Sequence, residues 1–378
     1  MQPSFLRSVA MATLLAGSCL SAAAPANAAD AIASTWNPGP HPNANFGYTV
    51  WADLVAKATD GAVTYQVFTD GALLPPRTTM QGVRDGVAQT GFVYPPYAPA
   101  EHPRTSMLVD LMFVSADAVI ADLAWSEVNF SQPSIQAEWK ANGGVFGGGY
   151  TTPVYNMLCA RPMQGADAYV GAKLRTGSVA QTAFATYLGA VPISVPFPDV
   201  YSGLQRGSID CVIGGPENLG SGYKLAEVTK MVTTMPMGVV AGALWVHNPS
   251  FWNGLTTEQR RGIFNASAEA QIAAIYGMEA LATDGLEASR ATGAEVAPPA
   301  ADLDEKLQAF KATFVEELRK TARGNGIDDA DTLIDAYLAA EQRWADLLAG
   351  VDRDDQAAVA ALVRAELYDK VDVSTYGQ

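Results

Sequence analysis

The sequence predicts an α/β protein of two lobes, with mixed, largely parallel sheets, hinge crossings between the lobes and helices at the C-terminal end. Strand-like and helix-like segments alternate between residues 31 and 246, which is the order expected of α/β sheets. The chain of 378 residues is longer than one hydrophobic core usually supports, so two domains are expected. Helical periodicity dominates from Thr256 onward.

The N-terminal elements are predicted in the order β-α-β-α-β. Strands are expected at 31–36, 63–68 and 90–94, and helices at 46–58 and 78–87. In an open, largely parallel sheet, ligands bind beyond the carboxyl ends of the strands. Trp36 and Asn37 follow the first strand and Tyr94 ends the third, and the tips of these side chains can donate hydrogen bonds. The three residues are therefore candidate ligand contacts.

A glycine-rich stretch at 143–150 separates this region from a further strand at 155–160. Glycine loops can cradle phosphate, but no lysine or serine follows at P-loop spacing, and no G-x-G-x-x-G lies between a strand and a helix. We expect a hinge here, or a position where another part of the chain approaches the backbone closely.

The alternation resumes near residue 172. Strands are expected at 172–175, 191–195, 209–213 and 231–234, helices at 179–188 and 200–207, and a strand that crosses back to the first lobe at 239–246. Thr256, with Glu258 and Gln259 nearby, begins a helix of the capping-box type that runs to about residue 283. Further amphipathic helices are expected at 301–322 and 331–348, and an acidic one at 356–368.

These elements predict a division of the chain into four parts. Residues 1–28 form a signal peptide, residues 29–152 with 241–283 the first lobe, residues 153–240 with 284–348 the second lobe, and residues 349–378 a C-terminal helical tail. A chain that passes between two lobes several times favours a hinge over a simple tether.

The first 28 residues have the three-part layout of a secretory signal peptide. Arg7 precedes an apolar run at 9–20, and small residues follow up to Ala28, after which cleavage is expected. A membrane anchor is the alternative, but the run is interrupted and falls short of the roughly 20 apolar residues that span a bilayer. Lipid modification of Cys19 is a second alternative, although the leucine-like residue usual three positions earlier is absent. We expect a soluble, exported protein.

The exported protein is strongly acidic. The formal net charge of −15 becomes −16 once residues 1–28, whose single charged side chain is Arg7, are removed. This charge disfavours nucleic acid as a partner. A protein of this charge can bind a small anion only through fixed positive groups inside a cleft, because its long-range field repels the ligand.

Two cysteines, Cys159 and Cys211, remain after cleavage. Export to an oxidising compartment allows them to pair, and two buried free thiols are the equally weighted alternative. Without a C-x-x-C motif or a cysteine–histidine cluster, the sequence predicts neither a metal nor a cofactor.

An enzyme is the rival function from another class. His41, His102 and His247 are scattered along the chain, and no nucleophile elbow, zinc spacing or paired-carboxylate signature accompanies them. The sequence therefore predicts a protein that is not an enzyme and has no catalytic residues.

Three motifs in order, at 171–176 (GAKLRT), 188–192 (LGAVP) and 197–210 (FPDVYSGLQRGSID), resemble the solute-binding proteins of the TRAP (tripartite ATP-independent periplasmic) transporters, the DctP-like family. The resemblance extends over nearly the whole chain after the signal peptide. It implies a two-lobed periplasmic binding protein fold and a periplasmic location. It also implies that the lobes close on a small carboxylate, which is then delivered to the TRAP membrane permease.

The resemblance also implies ligand-binding residues. Arg175 matches the arginine that holds the ligand carboxylate, and a guanidinium fork suits two carboxylate oxygens; a surface salt bridge is the alternative. Phe197 matches a ligand-packing aromatic residue, with an ordinary core position as the alternative. Tyr155 stands where sialic acid binders have a second arginine, and Gly214 leaves room for a larger ligand or offers a backbone amide. Arg77 is expected at the cleft rim or on the solvated surface.

A single assignable arginine favours a monocarboxylate or another compact organic acid over sialic acid. A C4-dicarboxylate or a sugar acid is the alternative ligand within the family, and a non-transport periplasmic α/β enzyme the alternative outside it. The oligomeric state and the face that meets the permease stay open.

Overall fold

The structure, a computed structural model, describes residues 29–378, which form two β-sheets covered by helices. The predicted signal peptide, 1–28, lies outside the described residues. The strands of the described part are β1 (Ala29–Ser34), β2 (Val63–Phe68), β3 (Thr90–Val93), β4 (Val145–Thr151), β5 (Asn156–Cys159), β6 (Lys173–Thr176), β7 (Val191–Ser194), β8 (Cys211–Gly214), β9 (Met231–Thr233), β10 (Ala241–His247) and β11 (Glu295–Ala297).

The two sheets are mixed, which confirms the predicted two-lobed α/β fold. The first has the strand order β2-β1-β3-β10-β4, in which β1 runs parallel to its neighbours and β10 antiparallel to both of its own. The second has the order β11-β9-β5-β8-β6-β7, with β6 parallel to β7 and β8, and β5 antiparallel to β8 and β9. We call the part of the molecule around each sheet the first and the second lobe.

The helices pack on both sheets. They are α1 (Pro42–Ala44), α2 (Trp51–Ala58), α3 (Thr79–Arg84), α4 (Pro103–Leu111), α5 (Ala118–Ser131), α6 (Pro133–Ala141), α7 (Val179–Tyr187), α8 (Val200–Gln205), α9 (Pro249–Gly254), α10 (Thr257–Ala291), α11 (Ala301–Gly324), α12 (Ala330–Leu348) and α13 (Gln356–Glu366), with π-helical backbone at Asn45–Val50. No helix of residues 29–378 is long and apolar enough to cross a membrane.

Helices α4, α5 and α6 lie in a stretch where the sequence pattern suggested no element. Most residues of α5 are buried, on all sides of the helix. A helix that is buried all round has no polar face, so the periodicity of 3.6 residues that reveals a surface helix is absent. The long helix α10 was found because it begins with a capping box, in which the Thr256 and Gln259 side chains each accept a hydrogen bond from the other residue's backbone N–H.

The chain crosses between the lobes along three neighbouring paths. Residues 152–155 lead from β4 to β5, and residues 234–240 lead from β9 back to β10. These two segments are hydrogen-bonded to each other: Thr152 N donates to Val240 O at 2.9 Å, and Tyr155 N to Gly238 O at 2.8 Å. Gly238 has φ +73°, and a Cβ there would lie 2.3 Å from the Met112 carbonyl oxygen, so the crossing requires glycine.

The third path is α10, which packs on α2 of the first lobe and on the 3₁₀ turn Pro216–Leu219 of the second. The predicted boundary after residue 283 falls inside this continuous helix of 35 residues. Helix α12, predicted in the second lobe, packs on α5 of the first. The lobe boundaries stay a prediction.

The glycine-rich stretch forms β4 instead of a loop. A Cβ on Gly147 would lie 2.4 Å from His247 Nε2, and one on Gly149 would lie 2.5 Å from Trp125 Cδ1. Close approach to the backbone, one of the two expectations for this stretch, is what the structure shows.

Cys159 and Cys211 form a disulfide, which resolves the alternatives that the sequence left open. The two residues lie directly opposite each other on β5 and β8, at the centre of the second sheet. The bridge joins two strands that flank the cleft described next.

The C-terminal tail covers the first lobe. Helix α13 packs on α10, and Tyr376 near the end of the chain donates a hydrogen bond to the Phe146 carbonyl of β4 at 2.9 Å. The Trp252 indole N–H donates in turn to the carbonyl of Tyr376 at 2.8 Å.

Candidate functional site

The candidate site is a cavity of about 40 Å³ between the two lobes, at strand ends. Six of the eight predicted site residues line it, and these are Trp36, Asn37, Tyr94, Tyr155, Arg175 and Phe197. The first three follow β1 and β3 of the first sheet, and the last three come from strands or turns of the second lobe. Sequence reasoning therefore brought together residues that are up to 161 positions apart, from Trp36 to Phe197.

Arg175 is the central group of the cavity. It lies on β6 with only 2 % of its surface exposed, and its guanidinium carbon lies 5.0 Å from the centre of the Phe197 ring. Its Nε donates to the Val195 carbonyl at 3.1 Å, and its Nη2 donates to the Tyr97 hydroxyl at 3.2 Å.

Within residues 29–378, none of the ion pairs involves Arg175. The surface salt bridge considered as its alternative role is thus not what the structure shows. Guanidinium has five N–H donors, and a buried cation normally has an anionic partner. The arrangement suits a carboxylate that enters the cavity.

Tyr97 is a site residue that sequence reasoning missed. It lies in the 3₁₀ turn Pro95–Tyr97 after β3, and its hydroxyl accepts hydrogen bonds from Arg175 Nη2 and from Phe197 N, the latter at 2.8 Å. Both donors belong to the second lobe, so this phenol of the first lobe bridges the cleft. The aromatic residue next to the Pro-Pro pair at the end of β3 was the only sequence signal for it.

Arg77 does not line the cavity. Its Nη1 donates to the Tyr97 carbonyl at 3.0 Å, and its guanidinium carbon lies 5.5 Å from the centre of the Tyr97 ring. Arg77 is an exposed residue that contacts Tyr97, and it is not part of the cavity wall.

Gly214, the last residue of β8, is also absent from the lining. A Cβ there would lie 3.4 Å from Phe197 Cε2 and 3.2 Å from Val212 Cγ1. The Phe197 ring lies beside this glycine. The room for a larger ligand that the sequence suggested is therefore not present there.

Four buried polar atoms of the cavity lining have no hydrogen-bond partner among residues 29–378. They are Trp36 Nε1, Asn43 Oδ1, Tyr94 Oη and Glu217 Oε2. Buried polar atoms are nearly always paired in folded proteins. Their concentration in one cavity indicates a site whose hydrogen bonds are completed by a bound molecule.

Burial controls the protonation of the ionisable groups around the cavity. Loss of solvation raises the pKa of the Glu217 carboxyl to about 8 and lowers the pKa of His41 to about 3, so His41 is neutral at pH 7. The pKa of Tyr155 is raised by burial and by the nearby Glu217 carboxylate, and lowered by the Arg175 guanidinium. All three residues, Tyr155, Glu217 and Arg175, line the cavity.

A larger groove of about 830 Å³ lies elsewhere, between α5, α6 and the C-terminal residues. Its basic side chains already have partners: Arg343 contacts Glu127 and Glu366 at 2.7 and 2.8 Å, and Lys140 Nζ donates to the Gln378 carbonyl. Chemistry, and not size, therefore selects the inter-lobe cavity as the candidate site. No group of three or more His, Cys, Asp or Glu residues in the described part of the chain is arranged to hold a metal.

Comparison with known families agrees with this geometry. The family model of the bacterial extracellular solute-binding protein, family 7 (DctP), matches residues 34–323. The chain belongs to this family. The predicted resemblance to TRAP solute-binding proteins is confirmed, and so is the prediction that this DctP-family protein is a solute receptor and not an enzyme. Proteins of this family are extracytoplasmic.

Among relatives of the DctP-family protein, the C4-dicarboxylate-binding periplasmic protein DctP of Rhodobacter capsulatus is 26% identical over 229 residues, which are 59% of this chain and 66% of that protein. The ectoine-binding periplasmic protein TeaA of Halomonas elongata is 28% identical over 283 residues, 70% of this chain and 80% of that protein. The match thus spans just under two thirds of the Rhodobacter protein.

A solved structure shares the fold of the DctP-family protein. The extracytoplasmic solute receptor of Bordetella pertussis that binds pyroglutamic acid superimposes with a TM-score of 0.72 at 23% identity, over 82% of this chain and 99% of that one. At this identity the likeness establishes the fold alone.

Proposed function

We propose that the protein is the extracytoplasmic solute-binding subunit of a TRAP transporter and that it captures a compact organic acid through Arg175. The observation that carries this proposal is the burial of Arg175 in the inter-lobe cavity without an acidic partner among residues 29–378. A bidentate carboxylate would use guanidinium donors that the protein leaves free. The indole N–H of Trp36 and the hydroxyl of Tyr94, both unpartnered, would add hydrogen bonds to it.

The size and the walls of the cavity favour a small ligand. Aromatic rings surround it, among them Trp36, Tyr94 and Phe197, and the space between them is about 40 Å³. The three relatives named above bind C4-dicarboxylates, ectoine and pyroglutamic acid, which are all compact molecules.

A C4-dicarboxylate is the less favoured ligand. Arg175 is the only arginine or lysine among the residues that line the described cavity. The histidine of the lining, His41, is neutral because burial lowers its pKa to about 3. A second carboxylate would therefore be buried without a cation, which is strongly unfavourable.

Contacts across the cleft support capture by lobe closure. Tyr97 of the first lobe binds Arg175 and Phe197 N of the second, and the Tyr223 hydroxyl of the second donates to Asn37 Oδ1 of the first at 3.4 Å. These bonds would break when the lobes separate at the paired crossings. Delivery to a membrane permease and export by the predicted signal peptide complete the proposal, and the Cys159–Cys211 disulfide is compatible with an oxidising compartment.

Calorimetric titration against a panel of small organic acids tests the proposal, with wild type compared to Arg175→Ala. We expect the variant to lose about 2 to 5 kcal/mol of binding free energy, or at least about 30-fold in affinity, because a buried charge pair is broken. Arg161→Ala is the matched control, since Arg161 is a half-exposed arginine of the same lobe that pairs with Asp210. Affinity of Arg175→Ala within a few-fold of wild type, or failure of every acid to bind wild type, would contradict the proposal.

A further inference from the structure

The inter-lobe cavity has an acceptor end as well as the cationic end at Arg175. Glu217 lines the cavity with 1 % of its surface exposed. One carboxyl oxygen, Oε1, accepts a hydrogen bond from the neighbouring Asn218 side chain. The other, Oε2, has no partner among residues 29–378.

The local fold places Glu217 there. Strand β8 lies beside β6, with Val212 opposite Arg175, and it ends at Gly214. The chain then turns through the 3₁₀ segment Pro216–Leu219, which packs against α10. Tyr155, Arg175 and Glu217 all line this one cavity.

An unpartnered carboxyl group inside a protein is costly. A buried acceptor that loses its hydrogen bond costs about 1 to 3 kcal/mol, and more when it is charged. A ligand that had only acceptors near an ionised Glu217 would add repulsion to this cost. A ligand with a donor hydrogen at that end would remove it.

Two features favour nitrogen over oxygen as the donor atom. Asn43 Oδ1, from the first lobe, is a second unpartnered acceptor in the lining, whereas a hydroxyl group supplies only one donor hydrogen and brings lone pairs of its own. In addition, burial raises the pKa of Glu217 to about 8, so the carboxyl group holds a proton near neutral pH when no cation is beside it. A protonated nitrogen of the ligand would lower that pKa and favour the ionised, accepting form, and the ligand's two charges would then balance those of Arg175 and Glu217.

We propose that Glu217 is a specificity-determining residue that accepts a hydrogen bond from an N–H group of the ligand, so that the ligand is a compact organic acid with a nitrogen donor. The proposal rests on the proposed binding of the carboxylate by Arg175. It restricts the ligand class further, because acids without a donor hydrogen at that end would satisfy Arg175 but leave Glu217 unpaired.

Matched pairs of acids that differ only in the donor atom test this inference. L-Proline and tetrahydrofuran-2-carboxylate exchange a ring ammonium for a ring oxygen, and N-acetylglycine and O-acetylglycolate exchange an amide N–H for an ester oxygen. Calorimetric titration of each compound into the full exported chain measures the preference. The proline pair tests a cationic donor and the acetyl pair a neutral one.

We expect wild type to bind the nitrogen member of at least one pair about ten-fold or more tightly than the oxygen member, as for a hydrogen bond to a charged group. Glu217→Gln should reduce this preference to about three-fold or less. The control Glu305→Gln, at an exposed acid of α11, should leave it unchanged. Thermal unfolding of each variant verifies that it folds.

Equal affinity for both members of each pair would overturn the inference but leave carboxylate binding by Arg175 intact. If none of the four probes binds, mass spectrometry of the compound released from freshly purified protein decides: a nitrogen-containing acid supports the inference, and a nitrogen-free acid overturns it. If no acid is released from the purified protein and no acid of the panel binds, both the proposed function and this inference are wrong.

Discussion

The two lobes contribute different chemistry to one cavity. The second lobe supplies the ionisable groups, Arg175 and Glu217, which are fixed on neighbouring strands of one sheet or just beyond them. The first lobe supplies neutral side chains, among them Trp36, Tyr94 and Tyr97. A ligand can therefore be paired with the charges of the second lobe before closure, and the first lobe then covers it and excludes water. Recognition of charge and exclusion of solvent are divided between the lobes.

The largest expected effect concerns the disulfide of the second lobe, which carries the charged groups. The disulfide closes a loop with a sequence separation of 52 between Cys159 and Cys211. Replacing both cysteines with serine should lower the free energy of unfolding by about 4 kcal/mol in the chain-entropy model. Denaturant unfolding of the oxidised wild type and of the double variant measures the loss. Equal unfolding midpoints would show that the second lobe does not depend on this bridge.

The next effect is a pH dependence of folding stability that arises from Glu217, a group of the second lobe. The pKa of Glu217 rises from the ordinary 4.5 to about 8 on burial, so the folded protein holds this proton more tightly than the unfolded chain. Its contribution therefore favours folding at low pH and is lost as the pH rises from about 4.5 to about 8, by at most about 1.4 kcal/mol per pH unit.

Glu217→Gln removes this dependence. The stability of wild type relative to the variant should fall between pH 5 and pH 8 in ligand-free protein, as measured by denaturant unfolding, because all other titrating groups are common to both. Curves that stay parallel over this range would mean that the carboxyl group is already ionised in the folded protein.

The smallest effect concerns the contact between the lobes. Tyr97→Phe keeps the ring but leaves Arg175 Nη2 and Phe197 N without their acceptor in the closed arrangement. The closed state should lose about 1 to 2 kcal/mol, which weakens ligand binding about ten-fold. Calorimetry gives the affinity, and small-angle scattering gives the radius of gyration without ligand, which should rise.

Tyr201→Phe is the control for Tyr97→Phe, because the Tyr201 hydroxyl bonds only to Glu227 on the exposed surface of the second lobe. If Tyr97→Phe and Tyr201→Phe behave alike, the bridge across the cleft has no part in closure.

The sequence predicts the strand framework and the anchor of the site better than the rest of the site. Arg175 was predicted because it matches the carboxylate-binding arginine of the family motif, and Trp36, Asn37 and Tyr94 because strand ends of a parallel sheet meet at one edge. Tyr97 was missed because its partners are 78 and 100 residues away and no local pattern links them.

Glu217 was missed for a different reason. A glutamate in a Gly-Gly-Pro-Glu-Asn segment reads as a solvated turn, and its burial arises only when α10, far along the chain, packs over that turn. Helix α5 escaped prediction in the same way, since burial on all sides removes the polar face that marks a helix in the sequence. In each case the decisive contact is long-range.

The three connections between the lobes have a mechanical consequence. Two hydrogen-bonded segments and one continuous helix leave the lobes little freedom to twist or slide. The remaining motion is rotation of one lobe relative to the other about a hinge. Two loosely tethered domains would lose much orientational entropy when they close on a ligand. In this protein the connections have removed most of that entropy before the ligand binds. A ligand with only a few polar atoms can then stabilise the closed arrangement of the lobes.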